Sequence, residues 1–124
     1  MSRQNIAYWI ATGLFAFVMT GSGVMHLIHA APIAAGMKSL GYPLYLSTLL
    51  GVAKLLGVAA LLTPAPARLK EWAYAGFAFD IIGATWSHFS SGQSLLPSVI
   101  VLLLFLASYL LFIRRVPSPV AVAA

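Results

Sequence analysis

The sequence predicts an all-α protein: a four-span transmembrane antiparallel helix bundle, with a short interfacial helix in its first outer loop. Three observations lead there. Four apolar stretches, near residues 6–28, 44–62, 72–89 and 95–113, reach the roughly 17–25 residues that a helix needs to cross a bilayer. Charged residues make up 7% of the chain, against roughly 25% in a soluble domain, too few to coat a water-facing surface. The basic residues gather at alternate ends of the apolar stretches. The length suits one domain, placed at 1–116, with a small, proline-containing tail at 117–124 expected to be disordered.

The first stretch begins after Arg3 and resembles a signal peptide in that respect. Its apolar run exceeds the roughly 7–15 residues of a signal core and carries His26 at its far end, which favours a retained span. The loop that follows has a helix of its own. Pro32 can open it, Ile33, Met37 and Leu40 recur at helical spacing, Gly41 stops it, and Pro43 starts the second span. Such a helix suits the outer membrane surface, as a spacer or as a cap over whatever lies beneath. The second span ends at Thr63-Pro64-Ala65-Pro66, and the third is the shortest and most polar. Ser90-Ser91-Gly92-Gln93 leads into the fourth, where Pro97 sits in the first turn, a position that tolerates proline.

With four spans, Arg3, Arg68, Lys70, Arg114 and Arg115 share one side and Lys38 stands alone on the other. By the bias of lysine and arginine towards the inside, the N and C termini are cytoplasmic. Tyr8, Trp9, Trp72 and Tyr74 fall near the inner interface, and Tyr42, Tyr45 and Trp86 near the outer one, where amphipathic rings settle. Topology thus accounts for the net charge of +5. The cations form no stripe with interleaved aromatics, so nucleic acid is not a partner. The absence of cysteine removes disulfides, thiol redox pairs and thiolate metal sites.

In lipid, helices associate through small residues that allow close approach. Ala73, Gly76, Asp80, Gly83 and Ser87 share a face of the third span; Ser47, Gly51, Lys54 and Gly57 share one on the second; Gly13, Ala16, Thr20 and Gly23 share one on the first. The fourth span is almost wholly apolar. Spans one, two and three are therefore expected to pack most tightly, with the fourth most exposed to lipid.

Two charges stand inside these stretches. Lys54 lies about ten residues, or roughly 15 Å, below the outer start of its span, and Asp80 about eight residues, or roughly 12 Å, above the inner start of the next. In a core about 30 Å thick these depths nearly coincide. Each charge costs about 2.5–3.5 kcal/mol at the centre of a lone helix, so the two are expected to meet as an intramembrane pair. That pair can act chemically or only fix helix register.

His26, His29 and His88 approach the outer interface. Without a carboxylate or a recognised ligand spacing, a metal or haem site is disfavoured, and hydrogen bonding in a ligand pocket fits better. The polar groups then line a path from the outer surface to mid-membrane, through His26 and His29, then His88 and Ser87, then Asp80 and Lys54. Trp86 and Thr20 are further candidates for ligand contact. The path suits a lipophilic molecule with one polar group, or a proton relay.

Three segments, GMKSLGYP (36–43), GVAKLLGVAALL (51–62) and RLKEWAYAGFAFDIIGATWSHFSSG (68–92), resemble the DoxX-like family of small bacterial integral membrane proteins. The resemblance covers all but the tail. It implies a four-span bundle in the bacterial inner (plasma) membrane. The family takes its name from a subunit associated with thiosulfate:quinone oxidoreduction, and many relatives are small standalone proteins. It brings no catalytic motif to Lys54, Asp80 or His88.

Three functions follow as expectations. The first is binding or acting on a lipophilic small molecule, as a quinone-linked oxidoreductase component or as a cofactor-free acid/base enzyme. There Asp80 is the acid or base, Lys54 tunes it, and His88 handles protons in an isomerisation or epoxide opening. The second is a small proton-coupled transporter, which the absence of an acidic residue in the first span disfavours. The third is a structural subunit. No cofactor is dictated, and a quinone is the candidate. The partners are the bilayer, a lipophilic small molecule, and a second copy or a membrane complex.

Overall fold

Ser2 opens the first helix by accepting a hydrogen bond from the amide of Asn5 at 3.1 Å, the role of an N-cap serine. In the computed structural model, which describes residues 2–115, five helices follow in order. They are α1 (Arg3–Leu27), α2 (Ala31–Ser39), α3 (Leu44–Leu62), α4 (Ala67–Ser90) and α5 (Leu96–Arg115). The expected disordered tail, 117–124, lies outside the described residues.

α1, α3 and α5 are long and apolar enough to cross a membrane. α4 has the length, at 24 residues, but Arg68, Lys70, Glu71, Asp80 and His88 make it more polar. It starts earlier than the expected 72 because Arg68, Lys70 and Glu71 continue the helix past the apolar stretch.

Helix ends follow local chemistry. Gly41 and Gly92 take φ of 80° and 70°. They close α2 and α4 with paired bonds, Tyr42 N–H to the Met37 carbonyl and Gln93 N–H to the His88 carbonyl, each at 2.9 Å. α1 closes in the same way, Ala30 N–H donating to the Met25 carbonyl at 3.0 Å. There the left-handed residue is His29, with φ of 51°. Pro43 caps α3.

α1 packs against α3 and α5, and α4 packs against the same two, so the four long helices form a ring in which α1 and α4 face each other diagonally. This corrects the expected packing. α1 and α4 make no close backbone approach. They meet through side chains, Phe15 lying edge-on to Phe77 with ring centroids 5.0 Å apart. α5 is the least buried of the three apolar helices, but α4 is no more buried than it is, and α5 supplies Phe105, Ser108 and Phe112 to the core. Aromatic side chains fill the middle of the ring (Tyr8, Phe15, Tyr74, Phe77, Phe105 and Phe112).

One polar cluster lies within that core. Ser108 sits 2.7 Å from both the Thr12 and the Tyr74 hydroxyls, joining α5 to α1 and α4. All three residues are buried. Ser108→Ala should therefore cost about 1–2 kcal/mol, since it strips a partner from two buried hydroxyls at once. Unfolding in mixed micelles measures this, and Ser98→Ala, outside the cluster, should cost less.

The basic residues gather at one end. Arg115 donates to the Asn5 side-chain oxygen at 3.0 Å and lies over the Tyr8 ring at 4.0 Å. Lys70 donates to the Leu61 carbonyl at 3.1 Å and lies 5.8 Å from the Trp9 ring. The start of α1, the α3–α4 turn and the end of α5 thus share this basic end, opposite α2.

Candidate functional site

α3 and α4 run antiparallel from the turn at the basic end, which brings mid-helix positions of the two to the same height. Lys54 on α3 and Asp80 on α4 meet there, Nζ to Oδ2 at 3.7 Å, with side chains 10% and 19% exposed. The expected pair is present. At that separation the contact is between charges and is longer than a normal hydrogen bond. The shorter bond of the ammonium, 2.8 Å, donates to the Ser22 hydroxyl on α1. Three helices therefore hold the charges.

Ser22 belongs to a longer chain of polar groups. One turn along α1, the Nδ1 of His26 lies 2.8 Å from the Ser22 carbonyl and 3.5 Å from its hydroxyl. A carbonyl only accepts, so Nδ1 carries the proton and a neutral His26 presents Nε2 as an acceptor. The sequence placed Ser22 on an apolar helix without assigning it to the site. The signal was its position one turn before His26.

Two cavities meet at the pair. The first, of about 430 Å³, lies beneath α2 and is lined by Ser22, His26, Lys54, Asp80, His88 and Ser98 among its polar residues. Pro32, Ile33 and Met37 roof it. α2 is thus the cap over the cavity, the second of its two expected roles. The second, of about 590 Å³, is a groove between α3 and α4 towards the basic end. Small residues make its walls (Ala53, Gly57 and Ala60 facing Ala73 and Gly76), and Lys54 and Asp80 close its upper end. Leu56, Trp72 and Phe79 line it and are all largely exposed, so its mouth opens on the outside of the bundle.

The other expected site residues divide. His88 lines the cavity beneath α2 and bonds through Nδ1 to the Gln93 side-chain oxygen at 2.5 Å. His29 lines neither cavity and is bonded instead to the Thr48 hydroxyl at 2.8 Å. Ser87 also lies outside both and is hydrogen-bonded to the Tyr42 hydroxyl. Trp86 is 70% exposed and Thr20 is exposed, and neither lines a cavity. Their helical positions turn them out of the ring, away from the charges.

The small-residue face of α4 also acts differently from expectation. Gly76 and Gly83 have no neighbour within 4 Å of where a Cβ would stand. On this helix, small residues leave room, and Ala73 and Gly76 leave it in the groove.

Among the described residues, no group of three or more His, Cys, Asp and Glu gathers as a metal set. The arrangement offers an acid/base group beside a fixed cation, with neutral donors and acceptors on one side and hydrocarbon walls on the other. No curated protein and no solved structure matches the chain. The family model of the DoxX-like family matches residues 10–112, and the chain belongs to that family of membrane proteins.

Proposed function

We propose that the protein binds a lipophilic small molecule carrying one polar group at the Lys54–Asp80 pair, and acts on it by acid/base chemistry or as a quinone-linked component. One observation carries the reading: both charges line both cavities. The bilayer then supplies the ligand, and α1, α3, α4 and α5 all cross it with α2 at the outer interface. In this reading the pair offsets the cost of taking the polar α4 into lipid. The basic end faces the cytoplasm of a bacterial inner membrane, with both termini there, following the bias of lysine and arginine.

The chemistry follows from what each group can do. Asp80 accepts or gives a proton, Lys54 stabilises its carboxylate form, and His26 and His88 face the same cavity as hydrogen-bonding or proton-carrying groups. A quinone carbonyl fits such a set, since it accepts hydrogen bonds and is protonated on reduction.

Titration with decylubiquinone in nanodiscs, read by tryptophan fluorescence, tests this. Trp72 lines the groove, so quenching should saturate. Asp80→Asn should weaken the affinity about ten-fold, the equivalent of one hydrogen bond to a charged group. Quenching that follows bulk partitioning, and is identical in both proteins, overturns the proposal.

A second reading, proton-coupled transport, has one observation in its favour. The two cavities lie in series along the bundle with the pair between them. Uptake into vesicles that needs a proton gradient and is lost in Asp80→Asn identifies that activity.

A further inference from the structure

We propose that the ligand is an uncharged, single-chain amphiphile bound in one orientation. Its head lies beneath α2, and its chain runs past Leu50 into the α3/α4 groove, which is also its side entrance from the lipid. The inference rests on the reading above and adds the class of molecule, its direction and its route.

The two cavities differ in the chemistry of their walls. Beneath α2, Ser22, His26, His88 and Ser98 join the pair, all neutral hydrogen-bonding groups apart from the histidines' capacity to take a proton. In the groove the wall is alkyl and aromatic, and apart from the two charges at its upper end only the Trp72 indole is polar. The cavities abut at Leu50, Lys54 and Asp80, which line both. A molecule filling both must be polar at one end and hydrocarbon at the other.

Charge restricts the head. The ammonium of Lys54 and the carboxylate of Asp80 compensate each other at 3.7 Å, so a charged head would leave one uncompensated charge in a largely buried site. A hydroxyl or carbonyl adds none. It also has partners, because His26 and His88 each commit Nδ1 elsewhere and keep Nε2.

The groove sets the tail's course and length. The groove is walled by Ala53, Gly57, Ala60, Ala73 and Gly76, and it extends from Asp80 to Trp72, about 12 Å along α4. Its open side is rimmed by exposed Leu56 and Phe79, which lets a chain enter sideways without passing through the bundle.

Two probes with a diazirine at the chain end test the proposal in nanodiscs. One is a decyl-benzoquinone and the other a long-chain primary alcohol, and the one that labels at the lower concentration identifies the source of the uncharged head. Photolysis of either should place adducts on Ala60, Leu69 or Trp72, and excess unlabelled compound should suppress them. A fatty acid of the same length should compete poorly.

Gly76→Phe should cut chain-end labelling about ten-fold. A Cβ at Gly76 meets nothing within 4 Å, so the ring enters the groove without displacing backbone. Ala73→Leu, one turn closer to the basic end, should do the same and guards against a folding defect in the first variant. Saturable, Asp80-dependent binding with chain-end adducts on α1 or α5, or labelling unaffected by both variants, overturns the orientation alone. Absence of any saturable, Asp80-dependent binding overturns both this inference and the reading beneath it.

Discussion

Lys54→Met alone should destabilise the protein by about 3 kcal/mol, and Lys54→Met/Asp80→Leu should recover most of that loss. The single change leaves the Asp80 carboxylate, 19% exposed, without its cation, and removes the donor that Ser22 accepts from. The double change removes the stranded charge as well, and an apolar pair of similar volume is often as stable as an ion pair. Asp80→Asn should be milder than Lys54→Met, because the ammonium keeps its 2.8 Å bond to Ser22. The same double variant should bind no quinone, which separates a pair that serves a ligand from one that only sets register. Reversible unfolding in mixed micelles, with binding measured on the same samples, reads both effects. A single variant as stable as the parent contradicts the account.

Gly51→Ala should cost about 1–3 kcal/mol, although it adds one methyl group. A Cβ there would stand 2.8 Å from the Gly23 carbonyl oxygen and 3.0 Å from the Leu27 amide nitrogen. Both are backbone, so α1 and α3 must move apart. Gly23→Ala, on the other side of the same contact, meets the Leu55 side chain at 3.2 Å and the Gly51 carbonyl at 3.3 Å. Leu55 can rotate, and the cost should be smaller. Gly13→Ala has nothing within 4 Å and should be near neutral. The order Gly51, Gly23, Gly13 is the expected result, and equal effects at all three would contradict this packing.

These cases show what the sequence makes legible. Helix positions are readable because apolar length and proline or glycine punctuation act locally, as at Gly41 and Pro43. The Lys54–Asp80 pair is readable because two opposite charges at matched depth in neighbouring apolar stretches have few other ways to be compensated. Helix order around the ring is less so. α5 carries only Ser98, Ser108 and Tyr109 as polar groups between its ends, and they do not by themselves distinguish the inward face of Phe105, Ser108 and Phe112 from the others.

Small residues carry a second ambiguity. Gly51 marks close contact and Gly76 marks empty space, and the two look alike in sequence because glycine permits either. The sequence puts Thr20 on the small-residue face of the first span and Trp86 at the outer interface, whereas helix rotation decides which side chains reach the cavity. His29 approaches the same interface as His26, but the left-handed turn it occupies carries it to Thr48.

The central claim is that the Asp80 carboxyl and the Lys54 ammonium share one site in the membrane. Glu71 and Asp80 are the two acidic residues, so labelling aspartate places a single side-chain carboxyl in the spectrum. Solid-state NMR in lipid, measuring dipolar coupling from the Asp80 carboxyl carbon to lysine side-chain nitrogen, reads the distance directly. Strong dephasing is expected, consistent with the 3.7 Å contact and lost in Lys54→Met. A carboxyl carbon with no lysine nitrogen within about 6 Å, in protein that is otherwise folded, would contradict it.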